Sequence, residues 1–469
     1  MHVSIATIGQ NKGSRRVWLE GQMLARAGFE PRTRYQVTVA GGVIVLKKLA
    51  NGFRMVSARK RNEREIPIID LNSNELLSLF EGMTQVRVIF EDGAIRIESL
   101  ATEQRAKERK DRLVARLALG QPLQIGSLAH GGGVMDHATH AGLTDAGIPC
   151  ELAFANEIRA DLMEQSMTVN NVWTDKTIAL NMPMQELAFD NATLSKLPQV
   201  DILLAGLPCS GASVAGRAKR RLAHPEAHPL VGHLVVAFIA LIARLNPAVI
   251  ELEQVVPYAS SASMDIIRTS LRELGYDVQE EILDAADWNA LEHRKRVVMI
   301  GTTKGLNIEL AKLERPAKRC RQLAEILEPV PLDATCWSKM EGLKDKEKRD
   351  AELGRSFAMQ IFDESSEKVC TLTKGLAKNR STDCKIRHPL NPDLLRIPTP
   401  VEHARAKDVP EHLIAGLSTT IAHELLGQSV NYLKFRATGA LIGRSLKAAP
   451  AQEEAIDAFA DLPLFALAH

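Results

Sequence analysis

The chain has 469 residues, of which 45% are hydrophobic and 25% charged, and its net charge is +2. A chain of this length is expected to form two or three domains, and the composition is that of a soluble globular protein. No stretch reaches the ~18 apolar residues of a membrane span, and the first residues lack the pattern of a signal peptide. These totals exclude a membrane-spanning helix and predict a cytoplasmic protein.

Alternating patterns at the start of the chain predict two β-hairpins. The first covers 36–46 around Gly41-Gly42, and the second covers 85–97 around Asp92-Gly93.

A helical segment is predicted before each hairpin, over 23–27 and over 75–80. The second begins with Asn72-x-x-Glu75, the pattern of a capping box. The order of helix and then hairpin occurs twice, which we interpret as a weak internal repeat.

Residues 16–31 run into the first hairpin as Arg-Val-Trp-Leu-Glu-Gly-Gln-Met-Leu-Ala-Arg-Ala-Gly-Phe-Glu-Pro. This segment resembles the AbrB/SymE-like swapped-hairpin domain. The resemblance implies a small DNA-binding or toxin-related module that dimerises, here as an internal pseudo-dimer of two half-units. An accessory β-rich module without DNA contact is an equally open interpretation.

Residues 101–119 are predicted to form a helix rich in basic residues that are interrupted by acidic ones. The basic residues are Arg105, Lys107, Arg109, Lys110, Arg112 and Arg116. Mixed charges of this kind are typical of a solvated linker helix. Contact with nucleic-acid phosphates is the alternative interpretation.

From residue 124 to residue 304, predicted strands alternate with helices. The strands are predicted over 148–155, 202–205, 248–252 and 297–301, with an amphipathic helix over 263–274. This alternation predicts an α/β domain with a parallel, doubly wound, Rossmann-like sheet.

Cys209 follows a predicted buried strand and a Gly-Leu-Pro turn. This places it at the carboxyl edge of the sheet, where open α/β sheets bind ligands and where a thiolate can act as a nucleophile. The six cysteines are scattered without a Cys-x-x-Cys pair, which argues against a zinc cage or a disulfide framework. Alone, such a cysteine is more often a buried structural thiol.

Charged residues at the same predicted edge favour a functional role for Cys209. Glu253 ends the next strand, and Arg294 and Arg296 directly precede another one. A thiol, a carboxylate and two arginines at one edge form a candidate catalytic constellation.

The order and spacing of five motifs resemble the C5-cytosine DNA methyltransferase family over about residues 124 to 435. The motifs are Pro208-Cys209, Glu253-Gln254-Val255, Glu292-x-Arg294-x-Arg296, Arg396-Ile-Pro-Thr-Pro-Val-Glu402 and Gly427-Gln-Ser-Val430. Three of them depart from the family pattern, at Gln254, Glu292 and Gln428.

The resemblance implies a role for each catalytic residue. Cys209 attacks C6 of a cytosine that has been flipped out of the duplex. Glu253 contacts N3 and Arg296 contacts O2, with Arg294 in support. These contacts combine covalent catalysis with electrostatic stabilisation of the transition state.

The resemblance also implies S-adenosylmethionine as the methyl donor. A predicted strand runs into the glycine turn 130–133, and glycine lets a backbone approach a ligand closely. The implied cofactor-binding residues are Gly131, Gly133, Glu157, Asp175, Pro208, Gln428, Ser429 and Val430. Ser127 and Ala129 stand near the family's acidic and aromatic positions, so the cofactor pocket is altered.

Two groups of residues are predicted to contact double-stranded DNA. Arg217, Lys219, Arg220 and Arg221 follow Cys209 and suit phosphate contacts, whereas Lys378, Asn379 and Arg380 suit base edges or phosphates. The histidines at 224, 228 and 233 lack a completing cysteine or carboxylate pattern, so no metal site is predicted.

The predicted order of domains has six parts. They are a β-rich module over 1–100, a linker over 101–122, a catalytic domain over 123–304, a target-recognition region over 305–395, closing catalytic motifs over 396–435 and a tail over 436–469.

The leading hypothesis is a nucleoid-associated DNA (cytosine-5-)-methyltransferase, for which a cognate restriction enzyme is a possible partner. The same chemistry on RNA or with a modified methyl donor stays open. So does a catalytically inactive DNA-binding regulator.

Overall fold

In the computed structural model, the described residues are 1–61, 64–208, 211, 223–355 and 357–448. They divide into two compact units, Met1–Glu108 and Arg109–His469. No helix among these residues is long and apolar enough to cross a membrane.

The first unit consists mainly of antiparallel hairpins. Its elements are β1 (His2–Asn11), β2 (Ser14–Glu20), α1 (Gln22–Arg26), β3 (Arg34–Ala40), β4 (Val43–Lys48), β5 (Arg54–Met55), β6 (Ser57–Arg61), β7 (Arg64–Asn72), α2 (Asn74–Leu77), β8 (Gln85–Glu91) and β9 (Ala94–Glu98). Helix α3 (Ala101–Ala118) follows and continues into the second unit.

The strand pairing confirms the internal repeat. Each half contains a hairpin, a short helix and a second hairpin. Equivalent strands pair across the halves, since β2 pairs with β7 and β4 pairs with β9. The predicted capping box is wrong by one residue: Ser73 is the N-cap of α2, and its side chain accepts a hydrogen bond from the Leu76 N–H.

The second unit begins with alternating strands and helices. They are β10 (Leu123–Leu128), α4 (Val134–Asp145), β11 (Cys150–Asn156), α5 (Ala160–Val169), β12 (Ile178–Leu180), α6 (Met184–Phe189), α7 (Asn191–Leu194), β13 (Ile202–Ala205), α8 (Leu234–Leu245), β14 (Val249–Val255), α9 (Ala262–Glu273), β15 (Tyr276–Asp284) and β16 (Lys295–Thr303).

These strands form one sheet in the order β12-β11-β10-β13-β14-β16-β15. Strands β10 to β14 are parallel, as predicted, whereas β16 is antiparallel to both of its neighbours. Two hydrophobic clusters pack on the sheet, one including Ile125 and Phe435 and the other including Phe154 and Phe238.

The rest of the unit carries fewer regular elements. They are α10 (Glu341–Glu352), β17 (Gln360–Phe362), β18 (Cys384–Arg387), β19 (Leu395–Arg396), α11 (Pro400–Ala406), α12 (Thr419–Gln428) and α13 (Tyr432–Ala448). The predicted boundary at 435 is wrong, because α13 continues to Ala448. A side chain at Gly142 of α4 would lie 2.0 Å from the Arg436 carbonyl oxygen of α13, so the two helices approach closely.

The interpretation of 101–122 as a solvated linker is also wrong. The Arg109 guanidinium is buried, stacks on the Tyr276 ring and donates hydrogen bonds to Thr303 Oγ1 and to the carbonyls of Leu274 and Gly275. Arg112 and Arg116 lie 3.3 and 3.2 Å from the buried Asp201 carboxylate. These three arginines therefore attach the helix to the seven-stranded sheet.

Candidate active site

The predicted carboxylate and arginine meet on neighbouring antiparallel strands. Val255 pairs with Arg296 and Glu253 pairs with Val298, so Glu253 and Arg296 are diagonal neighbours on one face of the sheet. Arg296 Nε lies 3.0 Å from Glu253 Oε1, and both side chains are largely buried. The parallel strand β14 ends here, at the sheet's carboxyl edge, which is where the sequence placed the site.

Gln254 holds the segment that leads to the predicted nucleophile. Its side chain is buried, and its Nε2 donates to the Leu207 carbonyl at 2.8 Å. Gln254 Oε1 accepts a hydrogen bond from the Val255 N–H at 3.0 Å. The end of β13 and Pro208 are thereby tied to β14. Cys209 itself lies outside the described residues, as do Arg217, Lys219, Arg220 and Arg221.

Arg294 is buried. It lies 3.6 Å from the Glu292 carboxylate and donates to the Gly427 carbonyl at 3.3 Å. Glu292 also accepts from the Leu372 N–H, and Lys407 Nζ lies 3.6 Å from its second oxygen. Arg294 thus joins the start of β16 to the helix α12, and its support of Arg296 at the base stays a prediction.

The glycine turn after β10 has the features of a ligand-binding loop. Gly131 and Gly133 have φ angles of 59° and 72°, which favour glycine, and a Cβ at Gly131 would meet no atom within 4 Å. The Gly131 N–H donates to Glu157 Oε2 at 2.7 Å. Glu157 follows β11 and is buried. The hydrogen bond therefore holds the turn against a buried carboxylate, and open space lies beside Gly131.

A buried hydrogen-bond network under this turn was missed by sequence reasoning. His130 Nδ1 lies 2.9 Å from Asp136 Oδ2, and His130 Nε2 lies 2.8 Å from Ser166 Oγ. Ser166 Oγ also accepts from Trp173 Nε1 at 2.9 Å. Burial raises the pKa of Asp136, but the charge and hydrogen bond of His130, together with His140 and Ser127, lower it overall. The only sequence signal was a histidine next to the glycines.

Replacing His130 by alanine is expected to weaken binding of S-adenosylmethionine about 5- to 100-fold. The substitution removes the imidazole that bridges the buried Asp136 and Ser166, at a cost of about 1–3 kcal/mol, and releases the turn. Isothermal titration of the cofactor measures this effect. The conservative variant His130→Asn should retain part of the affinity, and equal affinity of all three proteins would contradict the prediction.

The choice of Asp175 as an adenine contact is corrected by the strand direction. Asp175 is exposed and precedes β12, whose direction is parallel to β11. It therefore lies at the amino edge of the sheet, away from the glycine turn. Asn181 directly follows β12 and donates to the Glu157 carbonyl at 2.8 Å. Asn181 therefore stands at the carboxyl end of β12, the position at which we expect the adenine contact.

The Gly427 motif is built for close packing. A side chain at Gly427 would lie 2.0 Å from the Lys374 nitrogen, so only glycine fits between α12 and this loop. Gln428 is exposed at the end of α12, Ser429 donates to the Leu426 carbonyl, and Val430 is buried. Of the three, the side chain of Gln428 has the greatest freedom to meet a ligand.

The motif Arg396-x-x-Thr-Pro-x-Glu402 is a structural brace. Two hydrogen bonds of 2.6 Å join the buried Arg396 guanidinium to the Glu402 carboxylate. Thr399 and Glu402 form a capping box at the start of α11, and the Glu328 N–H also donates to Glu402. Every oxygen of this carboxylate is engaged within the protein.

The predicted base-reading residues lie together on an exposed, well-braced loop. Lys378, Asn379 and Arg380 are exposed, and Asn379 has a left-handed φ of 47°. The buried Asp383 accepts from the Arg380 N–H at 2.7 Å, which closes the loop. The loop begins at Lys374, whose backbone nitrogen packs closely against Gly427. Among the described ranges, no group of three or more potential metal ligands occurs.

Comparison with known proteins gives consistent similarities. Residues 131–435 match the family model described as C-5 cytosine-specific DNA methylase. The chain is 27% identical over 241 residues to the type II methyltransferase M1.ScrFI of Lactococcus lactis subsp. cremoris, covering 50% of this chain and 60% of the relative. It is 27% identical over 244 residues to M.SsoII of Shigella sonnei, covering 50% and 61%. The chain thus spans about three fifths of the length of these relatives.

A solved structure shows the same fold. The S. pombe Dnmt2 methyltransferase aligns with a TM-score of 0.54 and 18% identity, covering 69% of this chain and 98% of that one. The N-terminal unit falls outside the region matched by the family model.

Proposed function

Because the chain belongs to the C-5 cytosine-specific DNA methylase family, we propose that it is a DNA (cytosine-5-)-methyltransferase. It transfers a methyl group from S-adenosylmethionine to C5 of a flipped cytosine. The observation that carries the proposal is the pairing of Glu253 with Arg296 at the carboxyl edge, beside the strand that leads to Pro208. Relatives named type II methyltransferases support DNA as the substrate and a restriction enzyme as a partner.

The proposed chemistry follows from the low nucleophilicity of cytosine C5. The Cys209 thiolate adds to C6, while Glu253 delivers a proton to N3 and Arg296 holds O2. The resulting enamine would be nucleophilic at C5, where bound S-adenosylmethionine would supply the methyl group. The C5 proton then leaves to solvent, N3 returns its proton and the Cys209–C6 bond breaks. Glu253 Oε1 is held 3.0 Å from Arg296 Nε, so the carboxylate and the guanidinium are kept side by side for the base.

The glycine turn fits the proposed methyl donor. A Cβ at Gly131 or at Gly206 would meet no atom within 4 Å, so there is open space beside both glycines. This space and the adjacent Glu157 carboxylate suit a nucleoside with ribose hydroxyls. Bound there, S-adenosylmethionine supplies an electrophilic methyl group. Gly133, Asn181, Pro208 and the segment 428–430 are the proposed further contacts.

A covalent-trapping experiment tests the proposal. With S-adenosylmethionine and duplex DNA containing 5-fluorocytosine, the protein should form an adduct that survives denaturing electrophoresis, because fluorine blocks the elimination step. DNA with cytosine at the same positions is the control. If an RNA oligomer containing 5-fluorocytosine forms the adduct in preference to the DNA, the RNA alternative is favoured. The absence of any adduct would favour the inactive regulator.

For the N-terminal unit we propose an internal pseudo-dimer of the AbrB/SymE-like type that contacts DNA phosphates. The reciprocal pairing of its two halves supports the first part. Residues 30–64 contain nine Lys and Arg against two Glu, which supports the second. A fragment of residues 1–100 should be monomeric with one cooperative unfolding transition. An obligate dimer would contradict the proposal.

A further inference from the structure

Phe53 is a large apolar side chain on the surface of the N-terminal unit. It lies in the loop between β4 and β5, and 91% of it is exposed. The other phenylalanines of this unit, Phe29, Phe80 and Phe90, are all buried in its core. Burying an aromatic ring stabilises a protein, so a ring left in water on an ordered loop is a candidate contact for a partner.

The loop that carries Phe53 is fixed by hydrogen bonds to the neighbouring strand β3. The Leu49 N–H donates to the Arg34 carbonyl at 3.1 Å, and the Gly52 N–H donates to the Leu49 carbonyl at 3.0 Å. Arg34 Nη1 donates to the Gly52 carbonyl at 3.2 Å. A Cβ at Gly52 would lie 2.5 Å from the Tyr35 carbonyl carbon, so this backbone packs directly on β3. The ring is therefore presented by an ordered backbone, which lowers the entropic cost of binding a partner.

The surroundings of Phe53 are strongly basic. Residues 31–62 contain eight Lys and Arg and no acidic residue. The eight are Arg32, Arg34, Lys47, Lys48, Arg54, Arg59, Lys60 and Arg61. Two of them, Arg32 and Arg59, form ion pairs with carboxylates of β7 and β2. An apolar ring among cations matches duplex DNA, in which phosphates flank stacked bases.

One run of chain, residues 54–61, links the ring to the basic hairpin formed by β6 and β7. Strands β5 and β6 are separated by Val56 alone, whose N–H donates to the Thr33 carbonyl at 2.9 Å. β5 pairs with β3 and β6 pairs with β7, and all five residues of β6 are exposed. From Phe53 to Arg61 the run spans about 26 Å at ~3.3 Å per residue, which is the length of about eight base pairs. The ring and the hairpin therefore lie within reach of a single duplex.

The contrast with Trp18 shows that the exposure of Phe53 is not general for rings of this unit. Trp18 is 38% exposed, the Arg16 guanidinium lies 4.2 Å from its ring centre, and its Nε1 donates to Glu20 at 3.1 Å. The protein itself thus supplies partners for Trp18. Phe53 is exposed over nearly its whole surface, and Met55, two residues later, is also exposed.

The charge around Phe53 decides between two kinds of partner. A second copy of this chain that docked its own Phe53 loop here would bring two basic surfaces together, and the repulsion of like charges opposes such a contact. A polyanion is attracted to the same surface. DNA also offers an apolar environment for the ring, between its stacked base pairs.

We propose that Phe53 is a wedge that the N-terminal unit inserts between stacked base pairs of duplex DNA, while the basic hairpin β6–β7 holds the phosphates. The inference rests on the DNA contact proposed for this unit. An apolar side chain inserted at a base step partly unstacks it and kinks the duplex by roughly 20–90°. The wedge favours steps that unstack readily, such as TA, and reads no base edge.

The test uses the full chain and a short duplex of alternating A·T pairs in which 2-aminopurine replaces some adenines. This duplex has no cytosine, so the catalytic unit has no target base to flip, and unstacking reports on the wedge. Wild-type protein should raise the 2-aminopurine fluorescence. Phe53→Ala should abolish the increase and bind about 10-fold more weakly. The slope of log Kd against log salt concentration should stay unchanged, because the ring contacts no phosphate.

Three further variants serve as controls. Phe53→Leu keeps an apolar wedge and should retain most of the fluorescence increase. Phe189→Ala removes an exposed phenylalanine of the second unit and should behave as the wild type does. The double variant Lys60→Ala/Arg61→Ala should weaken binding and lower the salt slope by about two, because two phosphate contacts are lost. Since all these side chains are exposed, the urea concentration of unfolding should not change.

The outcomes separate the wedge from the DNA contact on which it rests. If Phe53→Ala binds and unstacks the duplex as the wild type does, the wedge is overturned, and a lowered salt slope in Lys60→Ala/Arg61→Ala would leave the DNA contact standing. If the double variant also matches the wild type, the proposed DNA contact of this unit fails as well. Loss of self-association in Phe53→Ala with unchanged DNA binding would assign the ring to a contact between copies and overturn the wedge.

Discussion

Replacing Cys209 by alanine is expected to lower methyl transfer by roughly 10⁴-fold or more, because loss of a covalent nucleophile removes the reaction path itself. Without addition at C6, C5 does not become an enamine, and the hydrogen bonds from Glu253 and Arg296 have no developing charge to stabilise. The assay is transfer of a labelled methyl group to duplex DNA under single-turnover conditions.

Binding measurements on the same variant provide the control. Cofactor affinity should stay within about twofold, because the glycine turn and Glu157 are anchored by their own hydrogen bonds. The 5-fluorocytosine adduct should be absent. Methyl transfer at the wild-type rate by Cys209→Ala would show that another residue, or none, attacks the base.

Replacing Glu402 by alanine is expected to lower the free energy of unfolding by about 3–5 kcal/mol. The substitution leaves the buried Arg396 guanidinium without its carboxylate, and breaking one side of a buried ion pair costs this much. It also removes the capping box of α11 and the acceptor for the Glu328 N–H. Urea denaturation followed by circular dichroism measures the loss.

Glu402→Gln is the matched variant, because it keeps the shape and one acceptor oxygen. Its loss should be clearly smaller than that of Glu402→Ala. In both variants, the rate of methyl transfer should fall only to the extent that the folded fraction of the protein falls. A folded, fully stable Glu402→Ala protein with impaired catalysis would show that this motif contacts a ligand, contrary to the structure.

The sequence was most informative about residues at the ends of strands. Glu253 and Arg296 were predicted to share an edge because each adjoins a recognisable buried strand, and parallel strands present their carboxyl ends together. Asp175 was chosen wrongly, because its place before β12 rather than after it depends on strand boundaries that residue patterns define poorly.

Charge patterns were informative only where water surrounds the side chain. Arg109, Arg112 and Arg116 looked like a solvated face, yet they bind carbonyls and carboxylates contributed by residues 199–303. Arg396 and Glu402 were recognised as a motif, but only packing showed that their charges satisfy each other.

By itself, the sequence determined the class of sheet, the family, the internal repeat of the N-terminal unit and the edge that carries the chemistry. These depend on local periodicity and on short motifs whose members are close in the chain. The tertiary structure alone decided the antiparallel β16, the anchoring of the glycine turn by His130 and the burial of Arg294 against the Gly427 carbonyl. Each of these depends on groups brought together from segments that are distant in the chain, as when Arg294 meets the Gly427 carbonyl, and burial then decides which polar groups must pair.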